Sequence, residues 1–246
     1  MKNLFLISIV VFVMACSSGG NQKTVDAEEA QDAATATAES TTFTVDTTKS
    51  VVTWIGSRPG RKHNGTIPVT TGSVSVKDGT IESAQFDMDI TGLKINDIEE
   101  GTEDYGKLSG HLMSEDFFAA DSFPTASFEL VSVAPYDSTA ISDKDQYETE
   151  NTPATLSEFM VENPTHLITG NLTMRGTTKS ITFPANVSVK EDGVTAEAKF
   201  NIDRTDWGLM YGDEASVVDK AKDKFIYNTV NVGMSFAATE AKNDAS

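Results

Sequence analysis

Asp203-Arg204-Thr205-Asp206-Trp207-Gly208 is the densest group of chemistry-bearing side chains in this sequence. An arginine set between carboxylates can meet the polar head of a ligand through charge-assisted hydrogen bonds. It can equally be held in a structural ion pair with Asp203 or Asp206, which is the simpler reading. Arg175-Gly176 is a lesser case, in which Gly176 suits a turn and Arg175 anchors it. No catalytic set emerges elsewhere. His63, His111 and His166 stand far apart, in no metal-ligand spacing. Asp143, Asp145 and Glu148 crowd one stretch, without the glycine and terminal glutamate of a calcium loop. There is no G-x-S-x-G elbow, P-loop or G-x-G-x-x-G element. Carboxylates are plentiful, but no spacing singles out a catalytic pair. The sequence therefore assigns no catalytic residue, no metal ligand and no cofactor.

Charge narrows the partners. The formal net charge is -18 and the sequence pI is near 4.4, with no basic stripe. Nucleic acid is a poor partner for such a chain, and so is an anionic lipid surface. The charge suits solubility. No oligomeric state can be read from it.

The elements that must position Arg204 and its neighbours are strands. Phe86, Met88 and Ile90 alternate with Gln85, Asp87 and Asp89. Ile181, Phe183, Ala185, Val187 and Val189 form a second apolar face at period 2. Val194, Ala196, Ala198, Phe200 and Ile202 form a third. Ile226, Val230, Val232, Met234 and Phe236 share a fourth, interrupted by Asn228. This alternation marks half-buried strands. Asp78-Gly79 and Asp192-Gly193 read as hairpin turns. Helix signals are short: residues 105–113 and 155–162, with Ser114 placed to cap a turn over Glu115, Asp116 and Phe117. Many strands with one apolar face and few helices mean a sandwich or a barrel.

The presumed inner face is rich in small residues: Ala126, Gly170, Ala185, Ala196 and Ala198. An eight-stranded barrel has an interior that side chains can just fill, or that can hold one ligand. Small residues would leave a cavity, lined by Phe128, Phe183, Phe200, Met88, Met174 and Met234, where methionine adapts to a flexible chain. They could also relieve crowding in a solid core. Phe117-Phe118 with Phe123-Pro124 reads as a cover over the barrel, able to gate entry as well.

The N-terminus reads as an address. Lys2 precedes an apolar run over residues 4–14, shorter than the roughly 20 residues that cross a bilayer. It fits a secretory signal. Val13-Met14-Ala15-Cys16 resembles a bacterial lipoprotein cleavage box, with Met14 a departure from the small residue common there. This predicts a signal over residues 1–15, lipidation of Cys16 and a membrane anchored through that lipid. Residues 16–42 carry no aromatic side chain and read as a disordered tether. With its one cysteine lipidated, the chain has no internal disulfide.

Three ordered blocks carry a family resemblance: HLMSEDFFAADSFPTASF (111–128), GNLTMRGTTKSITFPA (170–185) and NIDRTDWGLMYG (201–212). Together they resemble the YceI-like family of lipocalin-like lipid-binding proteins. The resemblance implies an all-β fold over residues 43–238, a closed antiparallel eight-stranded barrel with one or two short covering helices. It implies a long isoprenoid or other lipid ligand, and no catalysis. The implied cavity lining is Met88, Phe128, Met174, Phe183 and Ala185, together with Ala196, Ala198, Phe200 and Met234. The implied mouth or cover is Phe117, Phe118 and Arg204, with Trp207 plugging one barrel end. His63 belongs to a His-x-Gly common near this place in the family, with a structural or rim role. Residues 135–165 form an acidic insertion of unread purpose, and residues 239–246 a flexible tail.

The lipid anchor is directly testable. Cys16→Ser should abolish acylation and move the protein from the membrane to the soluble fraction; retention on membranes after a high-salt wash would refute the cleavage-box reading.

Overall fold

Residues 24–137, 160–216 and 225–240 are described in the computed structural model. The strands are β1 (Glu28–Glu29), β2 (Thr41–Val45), β3 (Val51–Arg58), β4 (Arg61–Lys77), β5 (Thr80–Asp89) and β6 (Lys94–Ile95). They continue with β7 (Thr125–Pro135), β8 (His166–Met174), β9 (Thr177–Lys190), β10 (Gly193–Asp203) and β11 (Thr229–Glu240). Among the described residues one α-helix, α1 (Glu103–Met113), interrupts them. All ladders are antiparallel, and β8–β9 pairing closes the sheet on itself. β2 and β3 occupy one position between β11 and β4, so the barrel has eight staves. Closure removes the edges that a sandwich would leave unpaired.

The turns show which residue does what. Asp78 and Gly79 both take positive φ (50° and 77°), as a two-residue type I′ hairpin requires. Arg175 and Gly176 do the same between β8 and β9. Asp192-Gly193 differs from the expectation. The loop is Glu191-Asp192, and Gly193 pairs with Lys190 inside the ladder. A Cβ on Gly193 would stand 2.4 Å from the carbonyl oxygen of Ala238. Its glycine serves close strand approach, not turn conformation.

The helix signal at 105–113 is a slightly longer helix capped by Thr102, whose hydroxyl accepts the amide of Tyr105. Ser114 closes α1 at its C-terminus, and its Oγ accepts the Asp116 amide in the next turn. The expected helix at 155–162 lies largely outside the described residues, as do most of the acidic insertion, the tail from 241 onward, and Cys16 with its signal.

The tether expectation is corrected for residues 24–42. β10 pairs with β9 only from Gly193 to Ala198. Beyond that the two strands part, and the N-terminal segment fills the seam. Glu28 and Glu29 pair with Ser180 and Lys179 of β9, while the Val25 amide donates to the Asn201 carbonyl of β10. The segment then runs across the outside of the barrel. The Gln31 amide and Nε2 donate to Asn171 Oδ1 and Ser180 Oγ, and Asn171 Nδ2 donates back to the Gln31 carbonyl. The Ala34 amide reaches the Leu130 carbonyl at the β7 bulge. At the end of its path, the Thr37 amide and the Ser40 hydroxyl donate to the Glu82 carboxylate. Composition correctly says that this segment has little apolar surface. It is ordered because it satisfies strand groups that the parted seam leaves open.

Deleting residues 24–40 should therefore destabilise the barrel. Losing these hydrogen bonds and the burial of Val25 costs about 2 kcal/mol, a fall of roughly 4–8 °C in a thermal melt. An unchanged melt would mean that the segment adds no stability. Ser40, the largest influence, and the Thr37 amide hold the Glu82 carboxyl below the usual glutamate range. A depressed carboxylate stabilises above its unfolded value and loses that contribution as pH falls through its folded value. The protection of the Thr37 amide relative to its intrinsic exchange rate should accordingly fall on acidification before that of the core strands.

Candidate functional site

The barrel interior is divided across its middle by phenylalanines. Phe183 and Phe200 stack at 4.2 Å, and Phe86 and Phe128 at 5.1 Å. Phe128 meets Phe183 at 5.9 Å, and Phe86 meets Phe236 at 5.5 Å. On one side of this layer buried side chains, Ala185, Val194, Ala198 and Phe236 among them, pack into the core. On the other it holds a cavity of about 470 Å³, within the range of ligand pockets.

The division can be followed strand by strand. On β10, Phe200 and Ile202 line the cavity and Val194, Ala196 and Ala198 do not. On β11, Val230, Val232 and Met234 line it, and Phe236 does not. On β9, Ile181 and Phe183 line it, and Ala185 does not. Along β11 burial changes the same way: Val230, Val232 and Met234 are only half-buried although they point inward, whereas Phe236 is buried.

The expected lining is thus corrected for three residues. Met88, Phe128, Met174, Phe183, Phe200 and Met234 border the cavity. Ala185, Ala196 and Ala198 lie in the packed half. Their smallness makes room for the aromatic layer, as Gly170 shows most sharply: a Cβ there would stand 2.1 Å from Phe128 Cζ. Ala126 does border the cavity. Both readings of the small residues hold, each for a different half of the barrel.

The cover is built from α1 and the turn after it. No residue of α1 is fully buried, yet Leu108, His111 and Leu112 face the cavity. Phe117 and Phe118 border it too. His111 meets Phe117 edge-on at 5.0 Å and Tyr211 at 4.5 Å. Arg175 fixes this cover to the barrel: its guanidinium donates to the carbonyls of Phe117, Gly208 and Glu115.

Arg204 is held by backbone carbonyls and not by the expected ion pair. It is buried, and its guanidinium donates to the carbonyls of Tyr227, Leu209 and Ile226. It also lies 5.8 Å from the Phe117 ring centroid, in cation–π range. Burial pushes the guanidinium below its ordinary value, opposed by Asp203. Asp203 does not pair with it. Its Oδ1 accepts the amide and hydroxyl of Thr205, capping the short 3-10 turn Arg204–Trp207 that ends at left-handed Gly208. Arg204 borders the cavity as a clamp on its wall. Trp207 does not border it. The indole is fully buried, with Nε1 donating to the Leu172 carbonyl at 2.9 Å.

Sequence reasoning missed the β3–β4 hairpin. Trp54, Arg58, Arg61 and His63 all border the cavity. Val52, Trp54 and Gly56 alternate at period 2, which was the available signal. His63 sits on the rim with Nδ1 2.8 Å from Asp97 Oδ2, and Asp97 Oδ1 accepts the Asn64 amide.

The divided interior gives paired mutational outcomes. Val232→Trp should fill the cavity, block uptake of a long apolar probe and cost little stability. Ala198→Phe should overpack the solid half and cost about 1–3 kcal/mol in denaturant unfolding. Equal destabilisation by both would contradict the division.

Comparison with known proteins bears on the whole barrel. Residues 43–238 match the YceI-like domain. A search of curated proteins finds no match. Among solved structures, BcnA of Burkholderia cenocepacia is similar at TM-score 0.53 and 19% identity, over 79% of this chain and 99% of that one. A polyisoprenoid-binding domain from Saccharophagus degradans, implicated in plant cell wall breakdown, is similar at TM-score 0.50 and 15% identity, over 81% and 98%. At these identities the likeness speaks for the fold, while the domain match covers most of the sequence: the chain belongs to the YceI-like family.

Proposed function

We propose that this protein binds one long-chain apolar amphiphile in the half-barrel cavity and carries or sequesters it without making or breaking a bond. A polyprenyl chain, an isoprenoid quinone or a fatty-acyl compound fits the reading. The observation that carries it is the divided interior. A barrel that needed only a core would be packed on both sides of the phenylalanine layer. Here the side chains beyond the layer, Met88, Met174 and Met234 among them, leave a wall of soft apolar surface uncovered. Burying a chain against that wall yields about 25 cal/mol per Å² before ordering costs. Family membership and the likeness to a polyisoprenoid-binding domain support the same ligand class. The cavity also weighs against the alternative of an interaction lipoprotein with a solid core.

The reading places the protein in a bacterial cell envelope, held to a membrane by lipid on Cys16, with the cavity close to a source of hydrophobic ligand. It rests on the cleavage-box sequence at residues 13–16.

Purified protein extracted with organic solvent should release a stoichiometric long-chain compound identifiable by mass spectrometry. A protein that yields no such compound, and that fails to quench or shift an apolar fluorescent probe, would overturn the reading.

A further inference from the structure

The charged residues around the cavity do not resemble the rest of the chain. The sequence has 37 acidic and 19 basic residues. Among the described residues that border the cavity the balance is different: Arg58, Arg61, Lys107 and Arg204 stand with Asp104. Apart from Arg204, these charges come from the β3–β4 hairpin and from α1. A cation beside an apolar wall acts through a low-dielectric surround, which strengthens its pull on an anionic ligand.

The groups differ in what they have left to offer. Arg204 is engaged by three carbonyls, and Lys107 pairs with Glu103 at 2.6 Å on the helix surface. Arg61 is exposed beside the Pro59-Gly60 turn, with no carboxylate in ion-pair range among the described residues. Deeper on the same hairpin, the Trp54 indole forms part of the cavity wall, with its Nε1 buried and without an acceptor among the described residues. The indole is seated over Gly65, where a Cβ would stand 2.7 Å from Nε1, so the backbone at this position is shaped around it.

We infer that the ligand carries an oxyanion head, a carboxylate or a phosphate ester, held at the mouth between the β3–β4 hairpin and α1. Arg61 is its main counter-charge. The tail runs inward and stops at the phenylalanine layer. This inference rests on the cavity being a lipid site and adds the chemistry of the head.

Displacement of a bound apolar fluorophore tests it with pairs that share a tail. Palmitic acid is compared with hexadecanol, and geranylgeranyl phosphate with geranylgeraniol, on the full folded chain carrying Cys16→Ser. In at least one pair the anion should bind about tenfold more tightly than its alcohol, the worth of one charge-assisted hydrogen bond. Which pair shows the preference separates a carboxylate from a phosphate ligand. Arg61→Gln should remove most of that preference and leave alcohol affinity unchanged. Trp54→Phe should weaken both members of a pair equally. Lys77→Gln, at the far end of β4 where Lys77 pairs with Glu39, should change nothing. Alcohols binding as tightly as both anions, or Arg61→Gln weakening alcohol and anion alike, would overturn the head-group inference and leave the apolar site standing. If no member of either pair displaces the fluorophore, the lipid-binding reading itself fails.

Discussion

Everything in this barrel is arranged around the stacking of phenylalanines across its middle. Phe183 against Phe200 and Phe86 against Phe128 fill the bore with rings contributed by β5, β7, β9 and β10. Rings of that size fit inside eight strands only if their neighbours are small. Gly170 yields space to Phe128 outright, and Ala185 and Ala198 face each other across the ladder beside the Phe183–Phe200 stack. The same layer that consolidates one half as a core leaves the other half with nothing to fill it. Core and cavity are therefore two results of one packing decision.

Much of this was legible in sequence, for a physical reason. Period-2 alternation reports which side chains point inward, and it placed Met88, Phe183, Phe200 and Met234 on the inner face correctly. It cannot report depth along the bore. Ala198 and Phe200 are two residues apart on one strand, and only the cross-strand register shows that one sits beneath the aromatic layer and the other borders open space. Arg204 was misread for a related reason. Its carboxylate neighbours in sequence are Asp203 and Asp206, yet its hydrogen-bond acceptors are carbonyls at 209, 226 and 227, brought to it by the chain's return.

The N-terminal segment was the largest departure. Low apolar content normally predicts disorder because nothing offsets chain entropy. Residues 24–42 instead complete a wall. They supply backbone partners where β9 and β10 part, and side-chain amide contacts at Gln31 and Asn171. No composition measure registers demand that originates in another part of the fold. Gly193 makes the same point at the scale of one residue. It looks like a turn glycine but is required by the Ala238 carbonyl packed against it.

The seam filled by that segment has a kinetic side. β1 meets β9, β2 meets β11, and the Val25 amide meets Asn201, so residues near position 30 find their partners about 150 or more residues away. Contacts of such sequence separation form late, because loop closure must be achieved before they contribute. A chain emerging in order from its N-terminus can assemble the meander from β3 to β5 early. It cannot seal the wall until β9 to β11 exist. The far end of the strap can meet Glu82 and β4 early, but its seam contacts need β9 and β10, and until they form the hollow half of the barrel stays open along its side.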